Sequence, residues 1–209
     1  MKEKITLSGK LRFRTLDLTL AGMFAALMAI GANITSWAPF LQVAGVPLSM
    51  QPFFVILAGI LLGSRLGAIS MIVYFLVGLA GAPVFAQFKS GASVLFGSTG
   101  GFLLSYIVAA YVVGKIIEWK GKPHLSVFIS ASLAGIAIIY IIGTTYMYMA
   151  VNYWLEAPAM SYATAWKVML WFGVKDIIFT IIAALIAPRI YKALTASPYY
   201  KGIHSNKAV

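Results

Sequence analysis

The placement of charge constrains this chain more than any other property. From Leu18 to Leu62 the sequence carries no Lys, Arg, Asp or Glu. The whole chain holds 16 basic and 5 acidic residues among 209, and 61% of it is hydrophobic. A helix rises 1.5 Å per residue, so about 20 apolar residues cross the hydrocarbon core of a bilayer. A soluble protein of this length needs far more charge to cover its surface. The chain therefore reads as an all-α, multi-pass bundle in the cell (plasma) membrane. Its few polar groups at membrane depth are where function is to be sought.

Six spans are expected: Asp17 to Trp37, Leu48 to Leu62, Leu66 to Val84, Val94 to Ile117, Ser126 to Val151 and Thr164 to Ile190. The second is short and calls for tilt or shielding by neighbours. The first apolar run exceeds a signal-peptide core and leads into further spans, so it reads as a retained helix. One membrane domain over 1–209 is expected, with cytoplasmic tails at about 1–16 and 192–209. Counting Lys and Arg gives the orientation. With the N-terminus inside, Lys2, Lys4, Lys10, Arg12, Arg14, Arg65, Lys115, Lys120, Lys122, Arg189, Lys192, Lys201 and Lys207 lie in the cytoplasmic half. That leaves Lys89, Lys167 and Lys175 in the outer half, so both termini are expected in the cytoplasm. This distribution also explains the net charge of +11 without nucleic acid.

Several chemistries are excluded. Without cysteine there is no disulfide, thiolate nucleophile or thiolate metal site. The two histidines, His124 and His204, fall in polar segments, which argues against a metal or haem site in the bundle. No Gly-x-x-x-x-Gly-Lys-Ser/Thr motif is present, so the chain is not its own ATPase. One deep carboxylate, Asp176, rules out two-carboxylate catalysis. No enzyme activity and no cofactor are expected.

The polar candidates gather in the outer half. Asp176 lies nine residues beyond Lys167, roughly 13–14 Å along a helix. A charge at such depth costs on the order of 3 kcal/mol unless it meets water or a partner. Lys175-Asp176 is then either a ligand contact or a structural pair with a snorkelling lysine. Neighbouring helix residues do not face each other, which weakens a simple mutual ion pair. Gln51 stands at the outer start of the second span and needs hydrogen-bond partners if buried. Lys89, in the outer loop Val84 to Gly91, can snorkel or hold an anion. The candidate ligand contacts are Gln51, Lys89, Gly91, Tyr146, Lys175 and Asp176. Ala21, Ala25 and Ala29 recur at i, i+4, i+8, widened by Gly22 and Ala26. Such a strip admits a close helix, either within the bundle or from a separate partner.

The block Val46-Pro47-Leu48-Ser49-Met50-Gln51 through Leu57-Ala58-Gly59-Ile60-Leu61-Leu62-Gly63 resembles the BioY family. So do Arg65-Leu66-Gly67-Ala68, Gly81-Ala82-Pro83-Val84-Phe85 and Leu95-Phe96-Gly97-Ser98-Thr99-Gly100-Gly101-Phe102. The family comprises biotin-binding S components of energy-coupling-factor transporters. The resemblance implies high-affinity capture of biotin from outside, energised by a separate transmembrane coupling protein and two ATPase subunits. It implies that Ala21, Ala25 and Ala29 form an Ala-x-x-x-Ala docking surface. It also implies that Asp176 is the aspartate of an Asp-x-x-Lys motif. Here the position three residues on is Phe179, and Lys175 precedes the aspartate. A stand-alone secondary transporter, or an S component for another small vitamin, is the alternative.

Overall fold

The computed structural model describes residues 15–34, 36, 42–43, 46–121 and 123–196. Its elements are α1 (Thr15–Asn33), a two-residue antiparallel ladder of β1 (Gln42–Val43) and β2 (Val46–Pro47), α2 (Gln51–Leu79), a 3-10 turn (Ala86–Phe88), α3 (Ser93–Phe96), α4 (Gly100–Lys120), α5 (Leu125–Tyr153) and α6 (Tyr162–Ala196). Five of the described helices are long and apolar enough to cross a membrane. The architecture is an all-α membrane bundle.

The second and third expected spans both lie in α2, which is not one rod. The chain leaves helical geometry at Gly63, with φ 79° and ψ 179°. This left-handed φ is open to glycine without a Cβ clash. Beyond it the chain doubles back: Gly67 packs against the backbone of Ala58 and Gly59. Gln51 and Tyr74, 23 residues apart, are hydrogen-bonded at 2.9 Å. A straight helix would separate them by roughly 34 Å. The limbs 51–62 and 64–79 therefore form a hairpin, giving six helical passes. Glu118 of α4 fastens its turn by accepting hydrogen bonds from the Ser64 backbone N–H at 2.8 Å and the Ser64 hydroxyl at 2.9 Å. A carboxylate there satisfies a helix-start donor and meets the positive end of the helix dipole. Gly114 lies directly on the Gly63–Ser64 backbone, where no Cβ fits.

The short limb 51–62 is almost entirely buried, and α1, α4 and α6 pack on α2. Shielding by protein explains how twelve residues serve at this position. The core around it includes Phe24, Met28, Ile56, Ile60, Val113, Ile117 and Phe128. In contrast, α6 exposes Leu170, Trp171, Val174, Ile178, Ile181 and Leu185. An outward apolar face is what a helix against lipid presents.

Several boundaries differ from the sequence expectation: the third expected span stops at Leu79, not Val84, and the sixth runs on to Ala196, not Ile190. The fourth long helix starts at Gly100, not near Val94, because Gly97 is extended at φ −76°, ψ 172° and ends α3. The first helix ends at Asn33, and Trp37 lies outside the described residues. Arg65, Lys115, Lys120, Arg189 and Lys192 are described and belong to the hairpin-turn end. The remaining inner-half cations, Lys2, Lys4, Lys10, Arg12, Arg14, Lys122, Lys201 and Lys207, fall outside the described residues, as do both termini.

Candidate functional site: a polar-walled cavity opposite the hairpin turn

At the end opposite the hairpin turn, the helices enclose a cavity of about 670 Å³. That is an ordinary size for a small-molecule site. Its apolar walls include Phe102, Leu103, Ile139, Met147, Met169 and Phe172. Gln51, Lys89, Lys175 and Asp176 also line it, so four residues spread over 126 positions of sequence meet in one place.

The α6 wall carries the charge. Lys175 Nζ and Asp176 Oδ1 are 2.9 Å apart. This corrects the expectation that adjacent helix positions disfavour a mutual pair. The Cβ directions do diverge, but four methylenes let the ammonium fold back. The same ammonium donates to the Ser49 carbonyl, just ahead of α2. Asp176 Oδ2 accepts the Tyr140 hydroxyl of α5 at 2.6 Å. The carboxylate thus ties α6 to α5, and the lysine ties α6 to the α2 entrance. Two oxygens offer about four acceptor sites, so capacity remains for donors from a ligand. Phe179 does not line the cavity; its ring meets Phe53 edge-on with centroids 6.3 Å apart.

The α2 wall is set by Gln51, which is nearly buried. Its amide donates to the Tyr74 hydroxyl at 2.9 Å, and Tyr74 donates to the Val84 carbonyl at 3.0 Å. One donor is fixed in this relay; the amide's other N–H and its oxygen are the groups left for a ligand.

The third wall is the loop 84–90. Phe85 is buried, edge-on to Tyr74 at 5.6 Å, and fills the space above Gly78. The backbone turns back on itself, with Phe85 N–H donating to the Lys89 carbonyl at 3.1 Å. Gln87 and Phe88 have positive φ, 62° and 55°. For residues with a Cβ this region costs roughly 1–2 kcal/mol each. Asn33, at the end of α1, holds them there. Its Oδ1 accepts the Phe88 N–H at 2.7 Å, and its Nδ2 donates to the Ala29 carbonyl at 3.0 Å and the Val84 carbonyl at 3.4 Å. Lys89, next along, is exposed on the cavity rim and has no ion-pair partner among the described residues.

Two other candidates are not among the lining residues. Gly91 serves the turn: its φ is +82°, and its N–H donates to the Gly78 carbonyl at 2.8 Å. Tyr146 donates its hydroxyl to the Leu95 carbonyl at 2.5 Å and packs on Gly101 and Trp154. Its polar group is spent on the approach to α4. The sequence reading missed Tyr140, Tyr106, Gln87 and Asn33. A hydroxyl at mid-helix or an amide at a helix end has no spacing signature of its own.

On α1 the alanine strip divides. Ala21 is buried in the core, which removes it from any free surface, and Ala25 and Ala29 are half-buried. The exposed small residues are Gly22 and Ala26, flanked by Leu18, Met23 and Ile30.

Comparison with known proteins agrees with this architecture. A profile described as the BioY family matches residues 1–196. A Bacillus subtilis (strain 168) protein named putative biotin transporter BioYB is 58% identical, over 88% of this chain and 91% of its own length. The biotin transporter BioY of Thermotoga maritima is 35% identical over 84% of this chain and 96% of its own. A crystal structure at 2.1 Å of the S-component for biotin from an ECF-type ABC transporter superposes with TM-score 0.72. It covers 87% of this chain and 95% of that one at 21% identity, a likeness that concerns the fold.

Proposed function

The chain belongs to the BioY family, and from that premise we propose that it is the substrate-capture subunit for uptake of biotin. It binds and does no chemistry on its ligand. The observation that carries the reading is the cavity whose walls hold an ion-paired carboxylate, an amide and a separate cation around apolar side chains. Biotin offers matching parts: a cyclic urea, an apolar sulfur-containing ring and a carboxylate tail. Asp176 accepts the urea N–H groups, Gln51 donates or accepts, and Lys89 pairs with the tail. Phe102, Met169 and Phe172 cover the ring system.

Energy comes from elsewhere, since the sequence lacks a phosphate-binding loop. A transmembrane coupling protein and two ATPase subunits fill that role in this reading, with α1 as the docking element. The exposed Gly22–Ala26 face, rather than Ala21, is the surface offered. Calorimetry of the purified protein with biotin, biotinamide and other vitamins tests the capture reading. Tight binding of biotin supports it; absence of biotin binding by folded protein refutes it. Uptake of labelled biotin in cells without the ATPase partners would instead indicate a stand-alone transporter.

A further inference from the structure

We infer that Asn33 is a positioning residue for the cation of the ligand site: it clamps the loop 84–88 in its left-handed turn and so presents Lys89 to the cavity. This rests on the capture reading above. Five observations meet at this point. Asn33 is nearly buried although amides seldom are. Its acceptor oxygen takes the Phe88 N–H at 2.7 Å, inside the segment of unfavourable φ. Its donor end reaches both its own helix and the Val84 carbonyl. That carbonyl also receives the Tyr74 hydroxyl, which is held by Gln51 of the cavity wall. Finally, all residues from Phe85 to Ser90 line the cavity.

The physical argument is one of compensation. Gln87 and Phe88 would relax toward negative φ if nothing held them, because a Cβ disfavours the left-handed region. The part-buried Phe88 N–H would also lose its partner and turn to find another. Release at Phe88 swings the next residue, Lys89, away from its place on the rim. Lys175 and Asp176 sit on α6 and would be unaffected. Asn33 therefore acts on one end of the ligand only, the end that carries negative charge. A residue that merely stabilised the bundle would weaken every ligand alike.

The test has one arm that needs no ligand. Nitroxide labels are attached to Ser90→Cys and Trp119→Cys in the full-length chain, which has no native cysteine. The distance distribution should be narrow with Asn33 present and broad in Asn33→Ala. An unchanged narrow distribution overturns the inference, whether or not biotin binds. The second arm is calorimetry with biotin and biotinamide. Asn33→Ala should weaken biotin about 5- to 10-fold, the loss of roughly one hydrogen bond's worth of positioning. Biotinamide should change less than about 2-fold by the same conversion, since it has no charge to meet Lys89. In the Lys89→Ala background, Asn33→Ala should add almost nothing, because the two act through one contact. Equal losses for acid and amide, or additive losses in the double variant, overturn the positioning role. Asn33→Asp keeps the acceptor for Phe88 and should restore the narrow distribution relative to Asn33→Ala. If Asp and Ala behave identically, the Phe88 bond is not the clamp. A broad Asn33→Ala distribution with no biotin binding by the parent chain would leave the clamp standing and refute the capture reading alone.

Discussion

Replacing Asp176 with asparagine removes a charge while keeping shape, and the site's geometry fixes what that should do. In the parent chain Oδ1 is 2.9 Å from Lys175 Nζ, and Oδ2 accepts from Tyr140 at 2.6 Å. A ligand N–H must use the remaining acceptor capacity of a carboxylate that is almost wholly buried. Hydrogen bonds to a charged group contribute roughly 1.5–3 kcal/mol. At 1.4 kcal/mol per decade, losing one such bond weakens binding about 10- to 100-fold. The asparagine NH₂ adds a donor aimed at donors, which pushes toward the upper figure. Stability falls too, because Lys175 loses its counter-charge. Breaking a fully buried pair costs about 3–5 kcal/mol, but the lysine side chain keeps 19% exposure and its bond to the Ser49 carbonyl. A loss of roughly 1.5–3 kcal/mol, the range of a hydrogen bond to charge, is the better expectation. Tyr140→Phe is the control: it leaves the charge and takes one internal donor, so affinity should change less than about tenfold. The assay is calorimetric titration of biotin into detergent-solubilised protein that elutes as a single folded species. Asp176→Asn protein that is folded and binds biotin as the parent does would refute the assignment of Asp176 to the ligand.

Three other outcomes are expected. Glu118→Ala should lower thermal stability by about 1–3 kcal/mol, since it strips two hydrogen bonds from Ser64 at the hairpin turn, yet leave biotin affinity unchanged at the far end of the bundle; thermal unfolding and calorimetry check both halves. Ala26→Trp should block uptake in cells while binding survives, because the exposed face of α1 loses close approach, whereas Ala21→Trp should damage folding, being buried; normal uptake by Ala26→Trp would remove α1 from docking. Single cysteines at positions 89 and 120 should be labelled from outside at 89 only, as the Lys and Arg distribution requires; labelling at 120 alone would invert the topology.

The membrane bundle was legible because lipid leaves few solutions: every apolar run of sufficient length must close its own backbone hydrogen bonds as a helix. Gln51, Lys175 and Asp176 were legible as candidates for a related reason, and Lys89 as a cation in a loop that joins them at one cavity. Polar side chains are costly at depth, so each one in an apolar run asks for a partner. What the sequence hid was where partners come from. Nothing local distinguishes Tyr140 from other tyrosines of α5; it matters because α5 and α6 bring it to Asp176. Tyr146 shows the converse. It has the same residue type on the same helix and stands only six positions away, but its hydroxyl ends on the Leu95 carbonyl of α3, outside the cavity. The alanine strip failed likewise: spacing showed that one face of α1 is small, but not that Ala21 turns inward while Gly22 and Ala26 turn out.

The Lys175–Asp176 pair also bears on why Phe179 can stand where a lysine was expected. An ammonium three residues beyond Asp176 would share its helix face and could pair with it directly. Lys175 reaches the same carboxylate from the preceding position, at 2.9 Å, and gains a backbone acceptor on the α2 side. The charge balance at the site is therefore kept, and position 179 is released for packing against Phe53. The two arrangements are not equivalent in consequence. A lysine bonded to Ser49 links α6 to the start of the hairpin, next to Gln51, so the acceptor wall and the amide wall are held in register before any ligand arrives. Such preorganisation lowers the ordering cost of binding. Lys175→Met should consequently weaken biotin and biotinamide alike, unlike Lys89→Ala, because it disturbs the urea end that both ligands share.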